Sequence, residues 1–205
     1  MGIQLIGNGG TIADVDPGRN QFIRRHPANY GSTGGAFVVT GGPSAVVAAA
    51  LAANTTLASM RHGTGATTNI WISRLRISIN AATVGASAGV PGQIAWQRFT
   101  TATPTGGTAR TPARKDASTG AATQVADVRD SNAALTVTSV NFTDLLVISP
   151  IPNFTVGASI EYVTDLDEDE FIRLTAGDGI CLRTQVAGPA TMTWTYTYTI
   201  HWLEI

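Results

Sequence analysis

Between positions 191 and 202 apolar and polar residues alternate almost without a break. Met192, Trp194, Tyr196, Tyr198, Ile200 and Trp202 take the even positions, and Thr191, Thr193, Thr195, Thr197, Thr199 and His201 the odd ones. A period of two puts the two sets on opposite faces of a β-strand, and both consist of strong strand formers. At about 3.4 Å per residue such a strand runs roughly 40 Å, so its sheet is large or continues across a subunit boundary. The pattern predicts that the aromatic set faces a core or an interface.

The same period recurs upstream, punctuated by Gly, Pro and Asn. It is clearest in "NIWISRLRISIN" at 69–80, where Trp71, Leu75, Ile77 and Ile79 are expected on one face and Arg74 and Arg76 on the other. Shorter runs are "GAFVVT" (35–40), "TTLASMR" (55–61), "QIAWQRFT", "TQVADVRD", "ALTVTSV", "DLLVIS", "ASIEYVT", "EFIRLT" and "GICLRTQV". Helical signals are few. The uniform apolar run at 44–53, with Ser44 as an N-cap after Pro43, reads as a helix or as a buried strand, because periodicity does not separate the two. Many short strands at regular spacing predict an all-β chain folded as an antiparallel β-sandwich. Residues 1–35, rich in Gly, Asn and Pro and without a sustained period, are expected to form an extended N-terminal arm. Residues 36–205 then form the sandwich domain. The polar stretch 100–123, with Gly106-Gly107 and the cations Arg110, Arg114 and Lys115, is expected as a long loop, and loops of this length are usually functional or mobile.

Composition narrows the class. Hydrophobic residues make up 43% of the 205 and charged residues only 13%, against a usual charged fraction of about a quarter. The chain is too apolar for disorder, and a surface so poor in charge suits partial coverage by neighbouring copies. Thirteen basic against 14 acidic residues leave no electrostatic footprint for nucleic acid. No run approaches the ~20 apolar residues of a membrane span, and no signal-peptide pattern is present. One cysteine, Cys181, excludes an internal disulfide framework.

Candidate chemistry is thin. Asp165, Asp167, Glu168, Asp169 and Glu170 in "DLDEDE" offer oxygen ligands of the kind calcium takes, but lack the glycine and later glutamate of an EF-hand loop. They read better as a solvated turn that guards a sheet edge. Cys181 lies in a strand-like run where a small buried side chain is the usual role, and His26, His62 and His201 are scattered. No nucleophile elbow, zinc-binding pair or phosphate loop is complete, "GNGGTIAD" at 7–14 included. The expectation is a non-enzymatic chain without a cofactor or metal. The candidate interface residues are Arg110, Arg114 and Lys115 of the long loop, and Phe22, Arg24 and Arg25 of the arm.

One resemblance sharpens this. The stretch "RFTTATPTGGTARTPARKDASTGAATQVADV", preceded by "WISRLRISI" and followed by "LTAGDGICLRTQVAGPATMTWTYTYTIHWLE", resembles jelly-roll virion structural proteins of tailed bacteriophages. The matching features are a strand ending in Arg98, the Gly106–Thr108 loop, Lys115-Asp116, the Ala121–Thr123 strand, and a Leu174–Gly179 turn into two final strands. The resemblance covers about 55–205 and implies a jelly-roll fold and a virion location after assembly in the host cytoplasm, with no catalytic residues to transfer. Its expected function is capsid decoration: a cement protein, a homo-oligomer and most readily a trimer, bound to the major capsid protein or other virion proteins. A tail, baseplate or fibre-attachment module is the alternative, and a carbohydrate-binding β-sandwich a third. Neither nucleic acid nor membrane is an expected partner. Gly177 and Gly179 are expected to flank a tight turn requiring positive φ.

Overall fold

The computed structural model describes residues 5–6, 12–15, 21–24, 35–42, 51–83, 92–115, 125–139, 141–151, 159–165, 171–187 and 193–204. These contain fifteen strands and no helix. In chain order they are β1 (Leu5–Ile6), β2 (Ile12–Val15), β3 (Gln21–Arg24), β4 (Gly35–Gly41), β5 (Thr56–His62), β6 (Ile70–Thr83), β7 (Gly92–Phe99), β8 (Thr108–Arg110), β9 (Ala113–Arg114), β10 (Ala126–Leu135), β11 (Phe142–Ile151), β12 (Ser159–Asp165), β13 (Ile172–Leu174), β14 (Gly179–Thr184) and β15 (Thr193–Glu204).

Every described strand pairing is antiparallel. One six-stranded sheet runs β11-β7-β14-β5-β10-β8; the other runs β12-β6-β15-β4-β9, with β13 also paired to β6. β1, β2 and β3 form a small sheet of their own, so the segment expected as an extended arm contains a three-stranded antiparallel meander. The two large sheets share a core. Leu57, Met60, Ile94, Trp96, Ile180 and Leu182 from one meet Phe37, Val39, Leu75, Ile77, Ile79, Tyr196, Ile200 and Trp202 from the other, all buried. The expected β-sandwich is present.

The pairing has a simple order. β4 pairs with β15, β5 with β14, β6 with β12 and β7 with β11. Strands β4–β7 thus form one arm of a long hairpin, and β11, β12, β14 and β15 return along it. The described residues 100–115 and 125–139 lie between β7 and β11. They supply β8 and β10 to the edge of one sheet and β9 to the edge of the other. The sequence predicts a long loop over 100–123, yet β8 and β9 lie within it. Ladder bonds join main-chain groups, so a two- or three-residue strand forms against an existing edge without any side-chain period.

β15 follows its alternation. Trp194, Tyr196, Tyr198, Ile200 and Trp202 are buried, while the threonine set is half-buried or exposed. Met192 lies outside the described residues. β6 departs from expectation at one point. Leu75, Ile77 and Ile79 face the core, but so do Ile70 and Ile72, and Trp71 turns outward. The register against β15 slips between the His201 and Trp202 pairings. That bulge absorbs one residue and inverts the face of everything before it. Arg173 covers the outward indole, its guanidinium 5.4 Å from the ring centroid. The helix-or-strand run at 44–53 falls largely outside the described residues, and Leu51 to Ala53 are not helical.

Candidate functional site

Three polar constellations organise the molecule around its strands. The first lies inside the sandwich. Asp130 on β10 is 1% exposed, and its Oδ2 accepts from Arg110 Nε (2.8 Å), the Gly42 amide (2.8 Å) and the Tyr198 hydroxyl (3.2 Å). Arg110 also donates from Nη2 to the Gly42 carbonyl at 3.0 Å. Next to it the Tyr196 hydroxyl donates to the Leu57 carbonyl at 2.6 Å, with the Ser131 carbonyl 2.9 Å away. Burial and the Asp130 charge push both phenols well above the ordinary tyrosine range. A buried carboxylate is tolerated only when its lone pairs are used, and here the donors come from both sheets. The network therefore fastens β8 and β10 to the end of β4 and to β15 across the core. Arg110, expected at an interface, is engaged here within the chain.

The second constellation is the turn before β14. Asp178 Oδ2 accepts from the Thr175 hydroxyl (2.7 Å), the Thr175 amide (3.3 Å) and Arg98 Nη2 at the end of β7 (2.7 Å). Burial drives its pKa upward, but the Thr175 and Arg98 hydrogen bonds outweigh it and hold the carboxyl below the usual range. Gly177 has φ +91°, as expected for the turn. Gly179 does not have positive φ. It is glycine because a Cβ there would run into the Phe99 ring and the Met60 carbonyl.

The third is on the outer face of the β11-β7-β14 sheet. Asp144 accepts from Gln97 (2.7 Å) and Gln185 (2.8 Å), and Arg183 donates to Gln97 (3.1 Å) while lying 3.8 Å from the centre of the Phe142 ring. Phe99, Ala102, Val137 and Cys181 form a second small core, with Phe142 packed against it. Cys181 is fully buried, and desolvation pushes its thiol up to about 12, opposite to the shift that an attacking thiolate needs.

The remaining expected site residues are dispersed. Arg114 on β9 lies at the sheet edge with its guanidinium 5.9 Å from the Phe37 ring centroid. Lys115 is exposed, and partial desolvation with the nearby Arg74 charge holds its amine below the ordinary lysine value. Phe22 and Arg24 lie on β3, whereas Arg25 and His26 fall outside the described residues. Of the acidic run only Asp165 is described, at the end of β12. His62 is buried with Nδ1 3.1 Å from the Gly63 carbonyl and Nε2 2.7 Å from the Thr68 carbonyl. His201 lies on the threonine face of β15. No group of three or more His, Cys, Asp or Glu among the described residues is placed to hold a metal ion. The sequence reading missed Asp130 and Glu204, each an acid within a strand, where a charged residue at an inward position was the available signal.

Comparison with protein-family models, characterised proteins and solved structures finds no match.

Proposed function

We propose that this chain is a bacteriophage virion structural protein of jelly-roll fold. It binds the head shell as a symmetric oligomer, most readily a trimer, and cements it. The observation that carries the reading is where the phage-like sequence features meet. The strand-ending Arg98 and the Leu174–Gly179 turn are far apart in the chain, yet Arg98 and Asp178 form an ion pair at 2.7 Å. Phe99 and Gly179 are partners in the same ladder. These features work as one structural unit, which is what a shared fold requires and chance punctuation does not.

The strand order supports the jelly-roll assignment. A jelly roll is a long antiparallel hairpin wound into two sheets. Pairing β4 with β15, β5 with β14, β6 with β12 and β7 with β11 fits that winding, with β8, β9 and β10 as an elaboration between its two arms. Cementing needs interfaces of moderate area repeated over many copies. A surface of Thr, Ala and Gly loses little side-chain entropy when covered. Of the three loop cations, Arg110 is taken up by Asp130, which leaves Lys115, near Arg74, as the exposed cation best placed to meet an acidic patch on the shell. The arm, residues 1–35, reaches a neighbouring copy or the shell.

The test is the stability of heads made without the protein. Such heads assemble but rupture at lower temperature and under milder osmotic shock than complete ones, and adding the purified chain restores them. Normal heads accompanied by missing or non-adsorbing tails would instead favour a tail or baseplate module.

A further inference from the structure

The last residue of β15 is a glutamate with no access to water. Glu204 is 0% exposed. Its Oε1 accepts from the Val125 amide at 3.1 Å and from the Trp202 indole Nε1 at 3.2 Å, and its Oε2 has no hydrogen-bond partner among the described residues. Val125 is where the chain enters β10, and its own carbonyl accepts from the Gly63 amide at 2.9 Å, just beyond β5. One carboxyl group therefore bridges the end of a strand in one sheet to the entry of a strand in the other.

We propose that Glu204 is a pH-sensitive latch between the two sheets, favouring the folded state while its carboxyl carries a proton and costing it stability when the buried group ionises. A neutral carboxyl keeps Oε1 as the acceptor for both N–H groups and leaves an uncharged hydroxyl at Oε2. An ionised one places charge on a buried oxygen with no donor beside it among the described residues, which costs far more than an unpaired neutral group. The titratable groups near it are His62 on β5 and Arg114 on β9. Both favour the carboxylate, as do the bonds from Trp202 and Val125, but desolvation is the larger effect and holds the pKa above the ordinary glutamate value. In the ladder, β6 sets Ile70 and β4 sets Gly35 opposite Glu204, neither of them charged.

The sign follows. A glutamate whose pKa is higher folded than unfolded contributes its full stability below the unfolded value, about 4.3, and loses it as pH rises through the folded value. Each unit of pKa difference is a tenfold change in the folding equilibrium.

The test is a pH titration of the folded chain by NMR, following the Trp202 indole N–H and the Val125 amide. Both resonances move along one curve with its midpoint above the ordinary glutamate range. In parallel, the melting temperature attributable to this group falls as pH rises from about 4 towards 8, and Glu204→Gln flattens that slope. A midpoint at or below the ordinary value, or no movement of either resonance, overturns the proposal. So do parallel melting profiles for the original and Glu204→Gln chains. The titration of the unaltered chain decides the matter even if the variant does not fold.

Discussion

At the residue scale, the period of two in β15 assigned its faces correctly because nothing interrupts it. Trp194 is 5% exposed against the core, whereas Thr195 stands on the outer face. Truncating a buried aromatic typically costs about 3–5 kcal/mol, from lost transfer energy and the cavity left behind. Trp194→Ala is therefore expected to lower the denaturation midpoint strongly, and Thr195→Ala to change it little; chemical denaturation of the two variants measures this. Trp71 shows where such legibility ends. Its assignment depended on one extra residue of β6, Ser73, left unpaired between the Ile72–Trp202 and Arg74–His201 pairings with a strand more than a hundred positions away, and no local pattern encodes that. Asp130 and Glu204 were hidden for a related reason. An acid at an inward position looks like a break in the alternation until its partners, Arg110, Gly42 and Tyr198 or Val125 and Trp202, are in place.

At the element scale, most strands were legible because half-buried antiparallel strands carry their face in the sequence. β8 and β9 were not, since they rest on main-chain pairing at sheet edges. The Thr175-to-Gly179 turn was legible in part: glycine marked it, but only packing against Phe99 and the Met60 carbonyl explains Gly179. This turn carries a prediction about acid. Asp178 is held below the ordinary carboxylate range when folded, so it contributes stability above its unfolded pKa, about 3.9, and loses it as pH falls through the lower folded value. Asp178→Asn should be less stable than the original chain at neutral pH. The gap in melting temperature between the two should then narrow as the solution is acidified to about pH 2. A gap constant across that range would mean that the Arg98–Asp178 pair adds nothing through its charge. A second prediction concerns residues 1–35. β1–β3 pair only with one another among the described strands, so a chain beginning at residue 36 should keep its β-sheet circular dichroism while assembling less well. Loss of the sheet signal would place the arm within the fold.

At the scale of the whole molecule, two sheets of six strands enclose an aromatic core. Phe37 stacks on Trp202 with centroids 5.7 Å apart, and Trp96 meets Tyr198 edge-on at 6.2 Å. The recurring period-two strands announced the sandwich, because a chain rich in alternating strands has few other ways to bury its apolar faces. Composition did not announce the internal ties, Asp130–Tyr198 and Glu204–Val125, that join one sheet to the other. A sparsely charged body of this kind is suited to adhesion by many copies. The proposal is thus a statement about location and number, that this chain coats a phage head. Quantitative mass spectrometry of separated heads and tails from virions carrying it tests that claim most directly. The account predicts the chain in the head fraction at a copy number comparable to that of the major capsid protein. A few copies confined to the tail fraction, or none in either, would contradict it.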